Sequence, residues 1–98
     1  MHILFADDEA LFAELLARML KSCGHTVQIV ADGTAAFDAF QDGSFDLCMT
    51  DMWMPGMDGA SLAKRIKAQK PAQKIALLTG SGNIRRAILL WITFSRNL

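Results

Sequence analysis

The order of apolar and polar positions along the chain predicts strands and helices in strict alternation. Short apolar runs indicate strands, whereas apolar residues three or four positions apart indicate helices. The predicted strands are 3–6, 26–30, 45–50 and 74–79, and the predicted helices are 9–22, 35–41 and about 59–69. Because the strand segments are continuously apolar and helices separate them, the pattern predicts an α/β fold whose parallel sheet is covered on both faces.

The first predicted helix has an apolar face that should pack against the sheet. That face is predicted to contain Leu11, Leu15, Leu16, Met19 and Leu20. Glu9 is expected in the first turn, where the helix dipole favours negative charge, and Gly24 is expected to stop the helix. Asp32 and Asp58 are placed to cap the two following helices.

The last part of the chain has an ambiguous pattern. Residues 84–97 begin with helical spacing, but 89–94 are apolar on every side and rich in residues that favour strands. We therefore expect either a fully buried helix or a switch to a strand in this segment.

Length and composition limit the possible classes of protein. A chain of 98 residues forms one domain at most, and a hydrophobic fraction of 52% supplies enough side chains for a core. No apolar stretch approaches the roughly 20 residues that span a bilayer, and no basic segment precedes the first apolar run. We therefore predict a cytoplasmic protein that does not enter the membrane. Cys23 and Cys48 lack metal-ligand spacing and are predicted to be small, buried or half-buried thiols.

The formal net charge is zero, but its distribution along the chain is uneven. All ten acidic residues lie within 7–58, and eight of the ten basic residues lie within 64–96. One interpretation is a basic surface for nucleic acid or an acidic partner, and binding to nucleic acid would depend on salt and on Arg85 and Arg86. The other is that acids gather around a cation while lysines cover solvated helix faces. The scattered basic residues favour the second, so direct nucleic-acid binding is not expected.

Acidic residues follow two of the predicted strands directly. Asp7 and Asp8 come after the first strand, and Asp51 comes after the third. Such strand ends can form one acidic pocket at the carboxyl edge of a sheet. A pocket of carboxylates can hold a hard divalent cation and, beside it, a phosphoryl group. Burial of a lone acid at a strand end is costly unless something pairs it, which favours a functional interpretation of Asp51.

Three motifs in this order carry a family resemblance. They are the acidic pair Asp7-Asp8, the run from Asp51 through Met-Trp-Met-Pro-Gly-Met-Asp to Gly59, and Thr79-Gly80 after the fourth strand. Over residues 3–83 the chain resembles the receiver domain of two-component response regulators. The resemblance implies a flavodoxin-like, doubly wound parallel sheet with strand order 2-1-3-4-5.

The resemblance also implies a chemistry for the acidic pocket. Asp51 would be the phosphoacceptor, taking a phosphoryl group from a phosphohistidine on a sensor histidine kinase or a phosphotransfer protein. Asp7, Asp8, Asp51 and the backbone carbonyl of Trp53 would hold Mg²⁺. The expected protein is therefore a signalling domain and not an enzyme, apart from its own phosphorylation and dephosphorylation.

Two further residues have roles that only the resemblance implies. Thr79 would be the switch hydroxyl that hydrogen-bonds a phosphoryl oxygen, although it could instead be a strand-end hydroxyl that is satisfied locally. Gly80 would leave its backbone N–H free to contact the phosphoryl group.

The end of the chain departs from the family pattern. A complete receiver resembles five strands and five helices, and its fifth strand ends in a lysine that contacts the phosphoryl group. No lysine follows Lys74 here. We therefore expect a receiver-like domain over 1–83 and an atypical segment over 84–98, with the fifth strand and fifth helix missing or replaced. The causes left open are a truncated or altered reading frame, a natural short variant and an engineered fragment.

This departure has a physical consequence and leaves functional alternatives. The fourth strand would be an open edge with an apolar patch beside it, so we predict a homodimer or larger assembly in which 84–94 covers the gap.

The first functional hypothesis is a phosphoacceptor receiver, and the second is a degenerate receiver that acts as a phosphorylation-independent interaction or dimerisation module. A phosphatase similar to the haloacid dehalogenases would need an acid two positions after Asp51, where Trp53 stands.

Overall fold

Strands and helices alternate in the computed structural model, which describes residues 1–78. The strands are β1 (His2–Ala6), β2 (Thr26–Val30), β3 (Leu47–Asp51) and β4 (Ile75–Leu78). The helices are α1 (Ala10–Ser22), α2 (Gly33–Asp42) and α3 (Gly59–Gln69). All pairings are parallel, and the strand order is β2-β1-β3-β4. The predicted doubly wound α/β fold is therefore confirmed for its first four strands.

The two faces of the sheet carry two separate apolar clusters. Because successive side chains of a strand point to opposite faces, β1 contributes to both clusters. The first cluster, on the α1 face, contains Ile3, Phe5, Phe12, Ala13, Leu16, Leu20, Met49 and Leu78. The second cluster, on the α2 and α3 face, contains Leu4, Ala6, Ala36, Phe40, Phe45, Cys48, Leu62 and Ile66. Burial on both faces fixes the positions of β1 and β3, whereas Ile29 of β2 is 37% exposed and Leu77 of β4 is 41% exposed.

The predicted core face of α1 is wrong in one row of residues. Leu11 is 85% exposed, and Leu15 and Met19 are only half-buried. The helix instead buries Phe12, Ala13, Leu16, Ala17 and Leu20. The sequence offers two adjacent apolar rows along this helix, and the sheet face covers only one of them.

The predicted caps of α2 and α3 are confirmed, although α2 begins at Gly33, two residues before the predicted start, and the start of α1 differs. Asp32 accepts a hydrogen bond from the Ala35 backbone N–H at 2.7 Å, and Asp58 accepts one from the Ser61 N–H at 2.7 Å. Gly24, with a φ of 92°, follows the end of α1. Glu9 was predicted to lie in the first turn of α1, but it is the N-cap residue. Its side chain makes no capping hydrogen bond. Its backbone N–H donates to Asp7 Oδ1 at 2.9 Å.

The bounds of β3 differ slightly from those of the predicted strand. β3 begins at Leu47 rather than at residue 45 and includes Asp51 as its last residue. Cys48 is buried and Cys23 is half-buried, as predicted. Within residues 1–78, no helix is long and apolar enough to cross a membrane. Thr79, Gly80 and residues 84–98, with the predicted homodimer contact, lie outside the described residues.

Candidate functional site

The register of the sheet brings the acids of two strands together. β1 pairs with β3 so that Ala6 stands opposite Thr50. The next residues are Asp7, which directly follows β1, and Asp51, which is the last residue of β3, so both lie at the carboxyl edge of the sheet. One carboxylate oxygen of Asp7, Asp8 and Asp51 each lies within 4.8 Å of the other two. We call these three residues the acidic site.

Asp7 has a hydrogen bond at one of its two carboxylate oxygens within residues 1–78. Its Oδ1 accepts a hydrogen bond of 2.9 Å from the Glu9 backbone N–H. Its Oδ2 is buried and has no hydrogen-bond partner among residues 1–78. Burial raises the pKa of Asp7 from 3.8 to about 6; the Glu9 hydrogen bond opposes this shift, and the nearby charges of Asp51 and Asp8 add to it. Asp7 is therefore a carboxylate whose charge lacks compensation.

Asp51 is the most deeply enclosed acid of the site. Its side chain is 0% exposed, and neither carboxylate oxygen has a hydrogen-bond partner within the described part of the chain. A buried polar atom without a partner costs about 1–3 kcal/mol, and more when it carries a charge. Asp8, by contrast, is exposed, so the site opens to solvent on its side.

This set of oxygens fits a hard divalent cation. Three buried carboxylate oxygens on Asp7 and Asp51, which have no donor in the described part of the chain, lie beside the exposed carboxylate of Asp8. Mg²⁺ requires oxygen ligands in octahedral geometry and normally keeps several waters, so a few carboxylates from one side suffice. The unpartnered oxygens are therefore the right donor atoms for Mg²⁺.

Contacts with residues nearby in the sequence hold the backbone around Asp51, and the sequence analysis did not predict them. Thr50 Oγ1 donates to the Asp51 carbonyl oxygen at 2.9 Å. The Gly59 backbone N–H donates to the Met52 carbonyl at 2.9 Å, and a Cβ at position 59 would collide with the Asp51 carbonyl oxygen. Only glycine lets α3 start so close to β3. The one sequence signal was the position of Gly59 directly after the helix cap Asp58.

The β3–α3 loop, residues 52–58, connects these contacts. The Trp53 side chain is 70% exposed, and no contact of its backbone carbonyl tests the predicted metal ligation. Met54 and Met57 pack against the second cluster. Thr79 and Gly80, the remaining predicted site residues, lie beyond the described range.

Comparison with known proteins identifies the family. The family model for the response regulator receiver domain matches residues 3–90. The chain belongs to this family. The match ends at residue 90, beyond residue 83, where the resemblance was expected to end. Receiver domains are signalling domains of two-component systems, and the four-stranded parallel sheet with three helices is their fold in these residues.

Relatives and solved structures agree with this assignment. The transcriptional regulatory protein FixJ of Bradyrhizobium diazoefficiens is 38% identical over 87 residues, which are 89% of this receiver chain and 42% of FixJ. The chain thus spans less than half the length of this relative. The response regulator TrrA of Thermotoga maritima, solved in complex with Mg²⁺ and BeF, is 37% identical with a TM-score of 0.78, covering 80% of this chain and 68% of TrrA.

A second structure shows a receiver with a kinase. TrrA solved in complex with the histidine kinase ThkA is 36% identical to this chain, with a TM-score of 0.77 and coverage of 86% of this chain and 72% of that one. A complex between a histidine kinase and a receiver of this fold is therefore on record for that protein.

Proposed function

We propose that this receiver domain takes a phosphoryl group onto Asp51 from a sensor histidine kinase or a phosphotransfer protein and signals through changed protein contacts. The observation that carries the proposal is the set of three buried carboxylate oxygens on Asp7 and Asp51 that have no partner in residues 1–78. Burying such oxygens is costly, and their function as ligands and nucleophile accounts for that cost.

In the proposed reaction Asp51 is the nucleophile. One carboxylate oxygen attacks the phosphorus of a phosphohistidine, the P–N bond breaks with its electron pair going to the imidazole, and an acyl phosphate forms on Asp51. Burial of Asp51 removes water from the nucleophile. The exposed side of the site, at Asp8, leaves a path by which the donor can approach.

The residues proposed to hold Mg²⁺ are Asp7, Asp8 and Asp51, together with the Trp53 carbonyl. Mg²⁺ in this site would neutralise charge on the transferred phosphoryl oxygens. Asp7 contributes as a carboxylate, and its hydrogen bond from the Glu9 N–H leaves Oδ2 as the available ligand atom. Because the pKa of Asp7 is about 6, the ligand form predominates above that pH.

The remaining parts of the proposal rest on the family alone. Thr79 is proposed as the switch hydroxyl and Gly80 as a backbone donor to the phosphoryl group. The kinase partner is supported by the complex of ThkA with TrrA.

Intact-mass measurement after incubation with acetyl phosphate and Mg²⁺ tests the proposal. We expect one phosphoryl adduct that disappears in Asp51→Asn and in the presence of a chelator. Asp38→Asn, which changes an exposed acid on α2, is the matched control and should retain the adduct. A folded chain that gives no adduct would reject phosphoacceptance and favour the phosphorylation-independent interaction module.

A further inference from the structure

The first residue of α2 touches the β3–α3 loop directly. Gly33 is buried, and a Cβ built on it would lie 2.7 Å from the Met57 Cβ, 3.1 Å from the Met57 carbonyl carbon and still closer to the carbonyl oxygen. Carbon atoms in ordinary contact are about 3.5–4.0 Å apart. The backbone at residue 33 is therefore packed against residue 57 more closely than a residue with a Cβ would permit.

The same loop is packed against β3 two residues further along the chain. A Cβ at Gly59 would lie 3.0 Å from the Met52 Cα and against the Asp51 carbonyl oxygen. The loop therefore lies between two close backbone contacts, one with α2 at Met57 and one with the end of β3 at Gly59. It also carries Trp53, whose carbonyl we assign to the metal.

We propose that Gly33 is a positioning residue for the acidic site. Its missing side chain lets α2 press directly on Met57, and this contact holds the β3–α3 loop against the end of β3. This inference rests on the proposed function for its effect on Mg²⁺ but not for its effect on the loop.

The relative stiffness of α2 and of the β3–α3 loop decides which of them a methyl group at position 33 would displace. Ala36 and Phe40 anchor α2 in the second cluster, and Asp32 caps its start. The loop is less buried, because its Met54 and Met57 are only half-buried against the same cluster. Backbone hydrogen bonds close it, from the Met57 N–H to the Pro55 carbonyl at 3.1 Å and from the Gly59 N–H to the Met52 carbonyl at 2.9 Å. An added methyl group at position 33 therefore displaces the loop rather than the helix.

Gly33→Ala tests the inference, with Asp32→Ala as the matched control. The control weakens the start of the same helix by removing the cap to Ala35, but it adds no atom against Met57. Two quantities are measured in each variant: the amide hydrogen-exchange rate of Gly59, and Mg²⁺ affinity by calorimetric titration of the metal alone.

We expect Gly33→Ala to speed Gly59 amide exchange and to weaken Mg²⁺ binding about tenfold, because ligands displaced by a fraction of an ångström bind poorly. Asp32→Ala should change Mg²⁺ affinity less than about twofold, since a cap acts on the helix start alone. If Gly33→Ala acted only by destabilising the fold, Gly33→Ala and Asp32→Ala would have the same Gly59 exchange rate and the same Mg²⁺ affinity at an equal loss of stability. That result would overturn the proposal.

Two other results are equally decisive. Unchanged Gly59 exchange in folded Gly33→Ala would overturn the proposal, as would faster exchange with unchanged Mg²⁺ affinity. If the wild-type chain bound no Mg²⁺, the proposed function would fail. Exchange at Gly59 would still determine whether Gly33 holds the loop.

A variant pair at Met57 replaces Gly33→Ala if that protein does not fold. Met57→Gly removes the Cβ that faces Gly33, whereas Met57→Ala retains it and loses only the outer side chain. The proposal expects faster Gly59 exchange and weaker Mg²⁺ binding in Met57→Gly than in Met57→Ala. Equal values in the pair would contradict it.

Discussion

Aspartates at the helix starts and aspartates at the strand ends have opposite environments in this molecule. Asp32 and Asp58 each accept a backbone N–H at 2.7 Å from the first turn of a helix. Asp7 and Asp51 are 2% and 0% exposed and together leave three carboxylate oxygens without a partner in residues 1–78. Aspartate thus stabilises the fold at the helix starts and destabilises it at the strand ends.

The direction of the pKa shifts expresses this difference. Hydrogen bonds from Ser61, from its backbone N–H first, lower the pKa of Asp58 because they favour the charged form. Desolvation raises the pKa of Asp7 to about 6, because burial disfavours the charged form. Helix capping is therefore a structural use of a carboxylate, whereas an uncompensated carboxylate pair marks the place where a ligand is needed.

The largest expected effect comes from removing one charge of the acidic site. Asp7→Asn should weaken Mg²⁺ binding about a hundredfold, which is about 2.7 kcal/mol, because a neutral amide replaces a charged ligand. The same change should stabilise the metal-free protein at pH 7.5 by about 2 kcal/mol, since a buried uncompensated charge disappears. Calorimetric titration and urea unfolding measure the two quantities.

Asp38→Asn provides the reference for that variant, because Asp38 is exposed on α2. It should leave Mg²⁺ affinity unchanged and stability within about 0.5 kcal/mol of wild type. If Asp7→Asn destabilised the metal-free protein, the strand-end acids would not differ from the caps, and the comparison would fail.

The second effect is a pH dependence of stability in the absence of metal. The pKa of Asp7 rises from 3.8 in the unfolded chain to about 6 in the fold, so the folded state binds the proton more tightly. The contribution of protonated Asp7 to the free energy of unfolding is fully present below pH 3.8 and is lost as the pH rises through about 6. We expect a loss of about 2 kcal/mol between pH 4 and pH 7 in wild type relative to Asp7→Asn, measured by urea unfolding with chelator.

Mg²⁺ should reverse this trend in the same interval. Because a proton and the metal compete for Asp7, Mg²⁺ affinity should increase as the pH rises through about 6. A wild-type stability profile that runs parallel to the Asp7→Asn profile would show that Asp7 titrates normally.

The smallest expected effect concerns the helix caps. Asp32→Ala should lower stability by about 1 kcal/mol, because the Ala35 N–H loses its acceptor. Asp32→Asn should be nearly neutral, since asparagine caps as well as aspartate. Thermal unfolding of the two variants measures the difference. Equal destabilisation by both would mean that charge, rather than the hydrogen bond, is what Asp32 supplies.

Helix α1 shows where sequence patterning is insufficient. The rows containing Leu11 and Leu16 are both apolar, and period alone cannot choose between them. In the structure Leu16 is fully buried and Leu11 is 85% exposed. The choice depends on how the helix rotates against Phe5 and Met49 of the sheet, and Met49 is distant in sequence.

The sequence by itself determined the alternation of elements, the caps at Asp32 and Asp58, and the bounds of α3, because these depend on neighbours within a few residues. It also placed acids at the ends of two strands. Only the tertiary structure decided that Asp7 and Asp51 are adjacent, since the pairing of β1 with β3 joins segments about 40 residues apart.

Tertiary structure also decided what those acids experience. Asp58 finds its donor only three residues along the chain, whereas Asp51 is enclosed by several elements that pack around it and has no donor among residues 1–78. The contact of Gly33 with Met57 has the same origin. Local propensity acts over a helical turn, whereas burial and close approach arise only when distant segments pack together.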